Sequence, residues 1–126
     1  MPGVFQNANQ FNQNIGSWDV SRVTDTAAML NGASAFNNGS SDSIANWNTS
    51  NLVIANDMFR KAASFNQPIG SWDMKKVQFL VRFLSDATSF NQSLAAWRLD
   101  SLVILPGKPL SGAAAALDHT AISRQN

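Results

Sequence analysis

Cysteine and glutamate are absent, histidine occurs once, and charged residues make up only 13% of the chain. Without thiols there is no disulfide framework, and the redox compartment cannot be read from cysteine usage. Without a His/Cys cluster the usual zinc ligands are missing, so no metal and no cofactor is expected. All the acidic residues are Asp. Asp competes with the helical backbone for hydrogen bonds, so it favours turns and helix starts over long solvated helices. The net charge is +1, and the densest basic groups are the pairs Arg60-Lys61 and Lys75-Lys76. Such a weak field argues against a nucleic-acid partner. The start, Met1-Pro2-Gly3, has no charged region followed by an apolar stretch, so no signal peptide is expected in this chain. The most apolar stretch, residues 102–117, is interrupted by Pro106, Lys108 and Pro109, which excludes it as a membrane-spanning helix.

What is present is a pattern repeated along the 126 residues. Four segments align on a Phe-Asn pair and a following Trp: FNQNIGSW from Phe11, FNNGSSDSIANW from Phe36, FNQPIGSW from Phe65 and FNQSLAAW from Phe90. The Phe spacings are 25, 29 and 25 residues, the extra four lying inside the second unit. Other columns keep the same phase. Ile15, Ile44, Ile69 and Leu94 precede Trp by three, and Val23, Leu52, Val77 and Leu102 follow it by five. Ala8, Ala33, Ala62 and Ala87 precede Phe by three, and Phe5, Leu30, Phe59 and Leu84 precede it by six.

Met29, Leu30, Ala33 and Phe36 fall at i, i+1, i+4 and i+7, the spacing of one face of a short helix, and Met58, Phe59, Ala62 and Phe65 repeat it. The stretch after each Phe reads as a short strand. The expected fold is therefore an α/β repeat solenoid of about four 25-residue units, each a short helix plus a short strand. A unit this small cannot bury its apolar face alone and depends on its neighbours. The division expected is a four-unit repeat over residues 1–105 and a divergent C-terminal cap with a polar tail over residues 106–126. The turn Pro106-Gly107-Lys108-Pro109 breaks the pattern, and Ser111 is a candidate cap for a short closing helix over residues 113–117. At the front the chain enters at Val4-Phe5 with no polar cap, which leaves an apolar end layer.

Phe11, Phe36, Phe65 and Phe90 with Trp18, Trp47, Trp72 and Trp97 are read as the repeated core. Burying one Trp removes on the order of 150–250 Å² from water, at roughly 25 cal/mol per Å². The competing reading of the four Trp is an exposed aromatic platform for sugars. Asn12, Asn37, Asn66 and Asn91 form a column whose amides are suited to bridge the backbones of successive units. Three glycosylation sequons, at Asn38, Asn48 and Asn91, matter only in a secretory pathway. His119 lies in the tail with no catalytic partner in sight. Asp19 and Asp73 recur as turn positions; a calcium column is disfavoured by Asn48 and Arg98 at the equivalent places. No catalytic residue is assigned and no enzyme is expected.

The string FNQPIGSWDMKKV, preceded by MFRKAAS, resembles the BspA-like surface-protein repeat of the mycoplasma lipoprotein type, MFxxAxxFNQxIxxWDxSxVTxM. Phe65, Asn66, Gln67, Ile69, Trp72 and Asp73 match it, as do Phe11, Asn12, Gln13, Ile15, Trp18, Asp19, Ser21, Val23 and Thr24. The match covers roughly residues 4–104. Departures are Asn38 for Gln, the insertion at residues 39–42, Lys75-Lys76-Val77-Gln78 and Asp100-Ser101-Leu102-Val103 in place of Ser-Val-Thr, and Arg98 for Asp. The resemblance implies a leucine-rich-repeat-like fold with a concave strand face, and a cell-surface or secreted protein that binds other macromolecules. The function expected is a non-enzymatic protein-binding or scaffolding module, such as a structural subunit of a larger assembly, with a cell-surface adhesin-like module binding carbohydrate or host or neighbouring surface ligands as the alternative. The partner, a protein or neighbouring subunit, is expected on the concave face or at the uncapped N-terminal end. Contacts are assigned to Asn14, Ser17, Ser43, Asn46 and Ser71.

Overall fold

The computed structural model describes residues 1–103. The turn expected at Pro106 to Pro109, the cap at Ser111, the closing helix over residues 113–117 and His119 lie outside the described residues. Among the described residues there is no α-helix and no β-strand, so the α/β solenoid class is overturned, and with it the concave strand face. The regular elements are three 3₁₀ helices, Asn38–Ser40, Asp42–Asn46 and Ile69–Ser71. The rest is a succession of tight turns, with isolated parallel bridges joining Asp25 to Ile54 and Ile54 to Phe79.

The physical reason lies in where the backbone N–H groups go. An α-helix sends each N–H to the carbonyl four residues back. Here the N–H groups of Met29, Asn31 and Ala33 close turns on the carbonyls of Thr26, Ala28 and Leu30, three residues back, at 3.0, 3.2 and 3.1 Å. The alternate ones, from Ala28, Leu30 and Gly32, leave the unit and donate to Asn56, Met58 and Arg60 of the next, each at 2.8 Å. The next junction repeats this, with Ala55, Asp57, Phe59 and Lys61 donating to Phe79, Val81, Phe83 and Ser85. Left-handed residues turn the alternate groups outward: Gly3 and Asn7, Ala28 and Gly32, Asp57 and Lys61, Arg82 and Asp86, with φ between 53° and 78°. A left-handed residue every fourth position forbids a continuous helix.

The apolar face that suggested a helix is nevertheless the buried one. Met29, Leu30, Ala33 and Phe36 are all 0% exposed, as are Met58, Phe59, Ala62 and Phe65. The Phe rings form a column through the units. Phe11 stacks on Phe36, Phe36 on Phe65 and Phe65 on Phe90, with centroids 5.6, 5.9 and 5.9 Å apart and planes within 10°. The four-residue insertion is taken up by the first two 3₁₀ helices. Gly39 and Ser40 stay exposed while Asn38 is buried.

Candidate functional site

The polar columns join the units. Asn12 Oδ1 accepts the N–H of Asn37 at 2.7 Å and that of Gly39 at 2.9 Å; Asn37 Oδ1 accepts from Asn66 N and Asn66 Oδ1 from Asn91 N, both at 2.8 Å. Gln67 adds a bond from Nε2 to the Asn37 carbonyl at 3.0 Å. Each of these Asn Oδ1 atoms accepts a backbone N–H of the following unit. The indoles do the same for carbonyls. Trp47 Nε1 donates to Ile15, Trp72 to Ile44 and Trp97 to Ile69, at 3.0, 2.9 and 3.0 Å.

Trp47 and Trp72 are buried and stack on one another at 5.6 Å, so a four-Trp platform is not what the chain presents. Trp18 departs from its expected core place: it is 40% exposed, and its indole N–H meets no acceptor among the described residues. Val4 is 50% exposed, whereas Met29, Met58 and Phe83, its counterparts in the later units, are 0% exposed. Phe5 and Phe11 are half-buried, stacked with centroids 3.9 Å apart, and Trp18 tilts against Phe5 at 5.8 Å. Val4, Phe5, Phe11 and Trp18 thus form an apolar patch on the first unit. The missing cap before Val4-Phe5 was the sequence signal for it.

The residues assigned to partner contact divide into two groups. Asn14 Oδ1 accepts from the Gly16 N–H at 2.8 Å and the Ser43 hydroxyl at 2.9 Å, and Ser71 donates to the Ala45 carbonyl at 3.1 Å. These three side chains tie adjacent units together. Ser17 and Asn46 are exposed. Asp19, Asn48 and Asp73 each accept the N–H two residues on, at 3.0 Å, capping identical turns. The Ser21 hydroxyl and N–H hold the Asp19 carboxyl below the ordinary Asp range, with Arg22 adding a smaller pull in the same direction. Arg98, in the fourth unit, instead approaches Asp100 at 3.6 Å. It helps line an open depression of about 330 Å³ with Asp73, Lys75 and Trp72. Of the sequons, Asn38 is buried and bonded to Ile15 N, Ser41 and Ser43, whereas Asn48 is exposed.

Among the described residues no three His, Cys, Asp or Glu come together, and no helix is long and apolar enough to cross a membrane. A family model described as Mycoplasma protein of unknown function, DUF285, matches residues 1–106. No curated protein and no solved structure matches the chain.

Proposed function

We propose for this chain, which belongs to the family of mycoplasma proteins of unknown function over all of its described residues, a binding role argued from its surface: a non-enzymatic protein-binding or scaffolding module. It engages its partner through the patch of Val4, Phe5, Phe11 and Trp18. The observation that carries this is the contrast within one column, Val4 at 50% exposure against Met29, Met58 and Phe83 at 0%. Side chains of columns that the second and third units bury are exposed or half-buried on the first, and a contiguous apolar patch of that kind is stabilised by a covering surface. The resemblance to BspA-like surface repeats supports a cell-surface setting for such a module.

The exposed Trp18 favours a second reading, an adhesin-like module whose indole stacks on a sugar face. A photo-crosslinking residue placed at Val4 in the native cell separates the two. A discrete protein adduct that disappears with Trp18→Asp supports the first reading, and a glycan adduct supports the second. Adducts that form from Asn46 or Ser71 but not from Val4 sink both.

A further inference from the structure

The junction between the third and fourth units differs from the one before it. At the earlier junction two hydroxyls cross the boundary: Thr49 Oγ1 donates to the Asp73 carbonyl at 2.9 Å, and Ser71 Oγ to the Ala45 carbonyl at 3.1 Å. One junction on, Met74 and Ala96 occupy the same two columns and have no hydroxyl to donate. The boundary opens there into the depression of about 330 Å³, walled by Trp72, Asp73, Met74 and Lys75 of the third unit and by Ala96 and Arg98 of the fourth. Both walls are units of this chain.

The polar groups of the depression are not used up by the fold. In the first unit Asp19 Oδ1 takes both the N–H and the hydroxyl of Ser21, at 3.0 and 2.6 Å. In the third, Lys75 stands in place of that serine. Asp73 Oδ1 accepts the Lys75 N–H at 3.0 Å, and its Oδ2 accepts nothing among the described residues. The Lys75 ammonium has no partner among them either, whereas Lys76 Nζ beside it is held by Asn51 Oδ1 at 3.1 Å. Arg98 occupies the column of Asp19, Asn48 and Asp73. Its nearest carboxylate, Asp100, lies 3.6 Å away, too far for a hydrogen bond, and the Arg98 side chain is 73% exposed.

The chemistry of this lining specifies a ligand. Two cations against one carboxylate favour an anion, and the guanidinium fork matches the planar, two-oxygen shape of a carboxylate. Asp73 repels a bare anion and only accepts hydrogen bonds, so its unused oxygen requires a hydroxyl on the same molecule. The volume lies at the small end of ligand cavities, with room for a single sugar ring, whose C–H groups can rest on the apolar Trp72 and Met74.

We infer that the junction of the third and fourth units is a binding site for an acidic sugar, its carboxylate on Arg98 and Lys75 and a ring hydroxyl donating to Asp73. The site is separate from the patch of Val4, Phe5, Phe11 and Trp18 and goes beyond the protein-binding reading.

The test is an NMR titration of the full, nitrogen-15-labelled chain at constant ionic strength with three probes. Glucuronate carries both features, glucose lacks the carboxylate, and cyclohexanecarboxylate lacks the hydroxyls. Glucuronate is expected to move the Lys75, Ala96 and Arg98 amides saturably, and the other two to bind about tenfold more weakly or less. The variants use residues that other units carry in the same columns, so the turns are kept: Asn48 and Ser50 are the models for Arg98→Asn, Asp73→Asn and Lys75→Ser. Arg98→Asn and Lys75→Ser should each weaken glucuronate binding by about tenfold. Asp73→Asn should remove most of the preference for glucuronate over cyclohexanecarboxylate. Equal binding of those two probes to the natural chain overturns the proposal in favour of a plain anion site. Absence of saturable shifts, or shifts that survive Arg98→Asn unchanged, overturns it outright. Binding lost in Trp18→Asp would put the sugar on the first unit and overturn this site as well.

Discussion

The indole N–H of Trp72 donates to the carbonyl of Ile44 at 2.9 Å, across the boundary between two units. Each unit in this way finishes the hydrogen bonding of the one before it. In the first unit the equivalent indole, Trp18, has no such carbonyl among the described residues and stands 40% exposed. Identical residues in identical local sequence therefore carry different energies, which gives a direct comparison.

Trp72→Phe should cost at least about 1–3 kcal/mol, since a buried carbonyl loses its donor and the smaller phenyl ring leaves part of the indole's space unfilled. Trp18→Phe should change stability by no more than about 0.5 kcal/mol. Urea unfolding of the two variants checks the pair; equal losses would mean that neither the bond nor the burial of Trp72 contributes.

The asparagine column is the second joint. Asn37→Ala removes the acceptor of the Asn66 N–H and should destabilise by about 1–3 kcal/mol. Hydrogen exchange at the Asn66 amide should accelerate in the same variant. An unchanged exchange rate there would refute the ladder as a restraint.

Ala28 sits at φ 56°, where a Cβ is unfavourable by roughly 1–2 kcal/mol. Ala28→Gly relieves that strain against a smaller entropy loss, for a net gain of about 0.5–1 kcal/mol. The urea midpoint should rise with the slope unchanged.

Gly70 is required for a different reason. A Cβ there would run into the Ser93 carbonyl oxygen, which is backbone and cannot rotate away. Gly70→Ala should cost about 1–3 kcal/mol as overpacking. Thermal unfolding reads this, and a wild-type midpoint would show that the junction is loose.

Asp19 should titrate below the usual Asp value of about 3.9. The folded state favours its carboxylate, so this contribution is present above the unfolded value and lost as pH falls through the folded one. In an NMR titration Ser21→Ala should raise the Asp19 midpoint, because the hydroxyl is the largest cause of the shift.

These comparisons also show what the sequence made legible. The columns of Phe, Ala and Ile/Leu picked out the buried face, because spacing records which side chains point inward whatever the backbone does between them. The helix failed at the backbone. Gly32 signals a left-handed turn, but Ala28, Lys61 and Arg82 occupy the same conformation without any turn signature, Ala28 and Lys61 with their N–H groups bonded to the next unit and Arg82 with its guanidinium bonded to Asp57 of the preceding one. The strand reading failed for a related reason: ladder contacts between units are single bridges, too short to make a sheet. The assignment of Asn14 and Ser43 to a partner took their polarity for availability, whereas they bond to each other.

The alternation of Phe5, Leu30, Phe59 and Leu84 bears on how such a chain can change in length. Copying one unit by recombination puts two of the same kind side by side, which crowds or hollows that layer. Copying an adjacent pair leaves every neighbour matched. The heritable step of growth or loss for this architecture is thus two units, and descendants should differ by even numbers of them.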